Sequence, residues 1–128
     1  MTARPYRVLV TGSRDWVAEQ VVRRELSRVW REAGGPVVVV HGACPTGADA
    51  QAAQWVADWS TGFNGVAEER HPAQWRTNGK AAGFIRNAHM VNLGADVVLA
   101  FIRNGSRGAS HTAALAEQAG ISVRRFTN

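Results

Sequence analysis

The chain has 128 residues, 45% of them apolar, and carries a net charge of +5 from fourteen arginines and one lysine, Lys80, set against ten acidic residues. That length suits one domain over residues 1–128, and lone Cys44 excludes an internal disulfide or a cysteine zinc cluster. No apolar run nears the roughly 18 residues of a membrane span, and the N-terminus lacks the apolar block of a secretory signal, so a cytoplasmic protein with no membrane partner is expected.

Tyr6 to Thr11 is a short apolar run ending in Gly12-Ser13-Arg14-Asp15, which reads as a buried strand and a turn. From Trp16 to Ala33, Val17, Val21, Val22, Leu26 and Val29 recur at helical spacing among charged residues, and Gly34-Gly35-Pro36 stops the helix. Val37 to Val40 is β-branched throughout and apolar on both faces, as in a central parallel strand. The loop His41 to Gly47 leads into a second helix from about Ala48 to Trp59, which Thr46 can cap with Asp49 as a capping-box-like partner. Residues 66–70 read as a third strand near a sheet edge, His71 to Lys80 as a polar, aromatic connection, and Ala81 to Leu93 as a helix. Ala95 to Ile102 is the fourth strand, followed by a Gly-rich loop from Arg103 to Ser110. A helix from about Ser110 to Ala119 and a fifth strand, Ile121 to Phe126, close the chain.

Strands and helices that alternate five times predict an α/β fold: a single Rossmann-like, doubly wound parallel sheet of about five strands, with helices on both faces. Right-handed crossovers on both sides of the first strand give the order 3-2-1-4-5. Within Gly83 to Met90, an advance of about 100° per residue gathers Phe84, Ile85, Ala88 and Val91 on one face. Periodicity thus makes Phe84 core, leaves Arg86 nearly opposite as surface, and puts Asn87 at the margin.

In an open α/β sheet, ligands bind beyond the carboxyl ends of the strands where strand order reverses, here between the first and fourth. Three loops face that crevice. The first offers Gly12, Ser13 and Arg14; the second Gly42, Thr46, Gly47 and Asp49; the third Gly105, Ser106, Arg107, Gly108 and Ser110. Glycine admits close approach, hydroxyls donate hydrogen bonds, arginine forks onto oxyanions, and helix N-termini favour phosphate. Each loop alone is also an ordinary Gly-bearing turn; the three together point to a phosphate-bearing small molecule. Lys80 is a candidate phosphate contact, and Trp16 and Trp75 flank the loops and could stack on a base or simply pack. Trp30, Trp55 and Trp59 fit helix packing or a subunit interface.

The motifs of a dinucleotide-dependent dehydrogenase, a P-loop ATPase and a nucleophile elbow are all missing. His41, His71, His89 and His111 lack metal-site spacing, so neither a metal nor a cofactor is expected. Cys44 fits an inert small hydrophobe better than a nucleophile.

Val10 to Trp16, His41 to Asp49, Trp75 with Gly79 to Gly83, Arg86-Asn87 and Gly105 to Gly108 occur in the order that resembles the YspA-type, cpYpsA-related branch of the SLOG superfamily. The resemblance implies a nucleotide or nucleotide-derived ligand, and such proteins are frequent in phages and mobile elements. It also makes Arg86 a candidate ligand contact or catalytic group, with Asn87 beside it at the pocket rim. Distant relatives include the LOG phosphoribohydrolases, whose Arg before the fourth strand Arg86 matches by position, and the DNA-processing protein A. In the LOG pattern a Glu follows a Gly-Gly-x-Gly-Thr loop; here Ser106 replaces the second Gly, Ala109 the Thr, and Thr112 the Glu. N-glycosidic cleavage wants that carboxylate. Asp49 or Asp15 are the available substitutes.

The leading expectation is a sensor or sequestering protein for a nucleotide or ADP-ribose-like ligand, in a phage or mobile-element setting. The alternatives are a nucleoside-phosphate N-glycosidase of altered mechanism and, third, single-stranded nucleic-acid binding, which the arginine excess would serve. By analogy with relatives, a homo-oligomer is expected.

Overall fold

The computed structural model describes residues 4–60 and 64–128. Strands β1 (Tyr6–Gly12), β2 (Val37–His41), β3 (Val66–Arg70), β4 (Val97–Ile102) and β5 (Ser122–Thr127) form one parallel sheet in the order β3-β2-β1-β4-β5. The predicted fold class and strand order are therefore those of the molecule. β1 sits in the middle, with Val8 level with Val39 of β2 and Val97 of β4.

Alternate strand residues feed two cores, as a period of two demands. Val8, Val10, Val39, Leu99 and Phe101 pack under α1 (Glu19–Ala33) and α2 (Gly47–Trp59). Leu9, Val40 and Val98 face the other way, toward α4 (Ala82–Leu93) and α5 (Arg107–Gln118), where Met90, Val91 and Ala116 meet them. Both faces of β4 are buried along its whole length, which is why it reads as an unbroken apolar run. Trp55 is buried with its indole N–H donated to Ser27 Oγ at 3.1 Å, and Trp30 lies edge-on to it. Among the described residues no helix is long and apolar enough to cross a membrane.

Four elements depart from the sequence reading. Helix α1 starts at Glu19 rather than Trp16, because Trp16 turns inward against Phe101 and donates its indole N–H to Ala18 O, so it belongs to the turn. The connection after β3 contains a short helix, α3 (Trp75–Asn78), and a 3-10 turn at Gly79–Ala81, too brief for any apolar period to reveal. Helix α5 begins at Arg107, inside the stretch that reads as loop. Helix α4 is rotated relative to its apolar pattern: Ala82, Asn87, Met90 and Val91 are buried, while Phe84 and Ile85 are 45% and 49% exposed. Phe84 meets the ring of His111 edge-on at 5.2 Å instead of entering the core.

Gly47 opens α2 with φ of +71°, and a Cβ there would run into the backbone of Ser13 and Arg14. It lets α2 close onto the end of β1. Gly120 also has positive φ, +80°, but open space around it. Gly120→Ala should therefore cost about 1 kcal/mol in urea unfolding from backbone strain alone, whereas Gly47→Ala should cost at least about 1 kcal/mol more. Equal losses would mean that the α2–β1 contact is not close-packed.

Candidate functional site

Beyond the ends of β1 and β4, where strand order reverses, lies a cavity of about 460 Å3. Gly12 forms part of its floor and cannot carry a side chain, since a Cβ would overlap Ala48 and press on Phe101. Ser13 pins the floor together: its N–H donates to Phe101 O at 2.9 Å, and its Oγ accepts the Arg103 N–H at 2.8 Å. The Ser13 hydroxyl is thereby a latch between β1 and β4 and does not line the cavity.

One wall is helix α4. Gly83, Asn87 and Met90, spaced by four and three positions, present a stripe to the cavity with Arg86 beside it. The Arg86 guanidinium is half-buried. Its Nη1 donates to Gly42 O and, at 3.2 Å, to His71 O, while Nε donates to Asn87 Oδ1 at 2.6 Å. Burial pulls the guanidinium's proton affinity down, and the nearby Asp49 carboxylate pushes it back up. An arginine keeps its charge under such opposition. The surface position that periodicity suggests for Arg86 is thus corrected: partners at the ends of β2 and β3 draw it inward, and Asn87 follows into the interior because Arg86 satisfies its oxygen.

Asp49 is 7% exposed and lines the cavity from α2. Its Oδ2 accepts the N–H groups of Gly42 at 3.2 Å and Cys44 at 3.4 Å. Two N–H donors of this loop, those of Gly42 and Cys44, are therefore occupied by the protein's own carboxylate. Thr46 stands at the N-cap of α2 but makes no side-chain capping bond, and Asp49 does not act as its capping-box partner. Burial raises the Asp49 carboxyl above its ordinary range, opposed by His41, the two N–H groups and Arg86. His41 shapes the same loop: its Nδ1 accepts the N–H of Ala43, a residue held at φ +58°, and Nε2–H donates to Glu68 at 2.5 Å.

Opposite α4 the cavity meets the start of α5. Ser106, Gly108 and Ala109 line it, and Ser106 makes no side-chain capping bond. The first N–H groups of α5 have no partner within the helix, so they and the helix dipole offer an anion site. Lys80 adds a cation and Asp15 an acid at the rim. Trp75 is 49% exposed, with the Arg14 guanidinium 5.4 Å above its ring, a cation–π contact worth about 0.5–1 kcal/mol at such an exposed place.

Of the residues singled out in the sequence, Gly12, Arg14, Asp49, Trp75, Lys80, Arg86, Asn87, Ser106 and Gly108 meet around this one space. Ser13, Gly42 and Gly47 lie behind its lining, and Gly105, Arg107 and Ser110 do not border it. Thr46 borders a neighbouring cleft. Trp16 is 3% exposed, its ring spent on Phe101, so its face is closed to a base. Sequence reasoning set Cys44 aside as inert and placed Phe84 in the core, yet both line the cavity with Met90. No pattern in the sequence marks them, because their inclusion follows from the rotation of α4 and from the bend at Ala43. Thr112, where the LOG pattern would have its Glu, is fully buried, its hydroxyl donating back to Gly108 O at 2.9 Å. Among the described residues no three His, Cys, Asp or Glu side chains converge as a metal would need.

Gly42 has ordinary φ, yet a Cβ would strike the Arg86 guanidinium. Gly42→Ala should therefore cost about 2 kcal/mol by displacing Arg86 from its charge-assisted bonds, while in an Arg86→Ala background the same change should cost about 0.5 kcal/mol or less. Additive losses in urea unfolding would show that Gly42 serves some other contact. A second check uses pH. Arg7 forks onto both oxygens of Glu69 at 2.9 Å, and His71 joins them at 2.7 Å, which holds the Glu69 carboxyl down at about 2. A depressed carboxyl contributes stability above its unfolded value of 4.5 that is lost as pH falls toward about 2. Glu69→Gln should flatten the stability profile across that window, by an amount reduced by solvent screening because Glu69 is one-third exposed. An unchanged slope would contradict the network.

The description "YspA, cpYpsA-related SLOG family" belongs to a family model that matches residues 6–77, from β1 to α3. The Gene 61 protein of Mycobacterium phage D29 is 43% identical over 123 residues, covering 94% of this chain and 95% of that one. No solved structure matches the chain. The family model takes in the first two loops of the cavity and Trp75, and the phage protein extends the similarity through α4 and α5, so the chain belongs to the YspA, cpYpsA-related SLOG family.

Proposed function

We propose that this protein binds a nucleotide or an ADP-ribose-like nucleotide derivative in the cavity between β1 and β4, acting as a sensor or sequestering protein in a phage setting. The observation that carries the reading is the convergence, at the point where strand order reverses, of the uncapped start of α5 with Lys80, Arg14 and Arg86 around one space. Its volume of about 460 Å3 lies within the range of small-ligand pockets. Phosphate would sit at the first turn of α5 rather than in the Gly42 loop, whose donors Asp49 holds. Phe84 and Met90 supply the apolar wall on which a base would pack. The similarity to a phage protein supports the setting.

Asp49 supports a second reading, hydrolysis of a nucleoside 5′-monophosphate to free base and ribose 5-phosphate. Its carboxyl lines the cavity, and burial biases it toward the protonated form, which suits a general acid that protonates the departing base as the C1′–N bond breaks; water then adds at C1′ and its proton returns to Asp49. Arg86, alongside, would hold the substrate's oxygens. Chromatography of mononucleotides incubated with the protein tests this: base release that Asp49→Asn abolishes is expected, and no release from any mononucleotide removes the reading.

For binding, calorimetric titration with the common mononucleotides and ADP-ribose should give a dissociation constant in the micromolar range for at least one. Lys80 is exposed, so Lys80→Ala should leave the fold intact and weaken that ligand about three- to tenfold. Absence of heat from every member of the panel at millimolar ligand would contradict the proposal.

A further inference from the structure

A second cleft of about 300 Å3 adjoins the cavity, running between Trp75 and the loop that contains Ala43, Pro45 and Thr46. The two spaces are continuous in their walls, since Arg14, Cys44, Trp75 and Arg86 border both. What stands at the boundary is the Arg14–Trp75 pair. Trp75 is half exposed, Arg14 is exposed, and apart from the ring contact the Arg14 guanidinium makes no hydrogen bond or ion pair among the described residues. A flat aromatic group can take the place of that guanidinium on the ring at little cost, exchanging a screened cation–π contact for a stacked one.

We propose that this cleft is a second subsite, which takes a planar heteroaromatic ring on Trp75 in the position Arg14 now holds. The inference rests on the nucleotide reading above and narrows it to a two-ring ligand of the dinucleotide class, its halves joined through phosphate. One half occupies the larger cavity, with the start of α5 and Lys80. The other lies between Trp75 and the Pro45 side of the loop. The phosphate linkage crosses the boundary, where the released Arg14 and the fixed Arg86 both border it and match its negative charge. A mononucleotide would leave the cleft to Arg14 and gain nothing from it.

The test compares adenosine and guanosine 5′-monophosphates with the corresponding dinucleoside 5′,5′-diphosphates by calorimetry. A dinucleotide should bind at least about tenfold more tightly than its mononucleotide, the increment of one stacked ring. Thr46 is exposed and borders the cleft but not the cavity, so Thr46→Trp, which fills the cleft, should abolish that advantage while leaving mononucleotide affinity within about twofold. Trp75→Ala should also abolish it. Equal affinity for the two ligand types, or an advantage that survives Thr46→Trp, overturns the subsite and leaves the nucleotide reading standing. Failure of every mononucleotide and dinucleotide to bind overturns both.

Discussion

The Arg86 guanidinium spans three elements at once: it reaches from α4 to the carbonyl of Gly42 at the end of β2, to that of His71 after β3, and to Asn87 on its own helix. Taken out of water only in part and set near a buried carboxylate, it is a charge whose removal would leave two carbonyls and an amide oxygen without their donor. Much of the site geometry follows. The Gly42 loop is held against α4, Asp49 accepts that loop's N–H groups from the other side, and Asn87 is drawn inward with its polar atom satisfied. The cavity is what remains between this braced wall and the start of α5.

The bracing divides the labour among three loops that look alike in sequence. The β1 loop is structural at Ser13, which joins the two central strands, and faces the cavity at Gly12 and Arg14. The β2 loop spends its Gly42, Ala43 and Cys44 N–H groups on Asp49 and His41. The loop before α5 retains open helix-terminal donors. An anion arriving in this crevice therefore meets the start of α5 and three side-chain cations rather than three equivalent phosphate cradles. The acidic side chains Asp49 and Asp15 line the same space beside those cations and temper its positive charge.

The sheet was legible because its signals are local and strong. Four consecutive valines in β2 and an apolar run buried on both faces in β4 have few other uses, and right-handed crossovers then leave little choice of strand order. The switch point marks where the candidate cavity lies, and the family-like motifs single out Arg86, which borders it. What could not be read depends on partners distant in sequence. Gly42 carries no side chain because of a guanidinium 44 residues later, not because of a special φ. The rotation of α4 sets a satisfied Asn87 against the core and leaves Phe84 and Ile85 outside, an arrangement that apolar periodicity, blind to Arg86's partners, reverses. Asp49 sits at capping-box spacing, yet its carboxylate is drawn to the N–H groups of a loop bent by Ala43 at positive φ. Trp16 could by sequence either stack on a base or pack over the loops, and only its contact with Phe101 decides for packing.

The nucleotide reading puts a phosphate at the start of α5, in the space between β1 and β4. A crystal structure of the protein grown with a mononucleotide tests it most directly. Phosphate density within hydrogen-bond distance of the Gly108 and Ala109 N–H groups, with Lys80 or Arg86 alongside, is the result expected. A nucleotide seated elsewhere on the protein, with this space filled only by water, would contradict it.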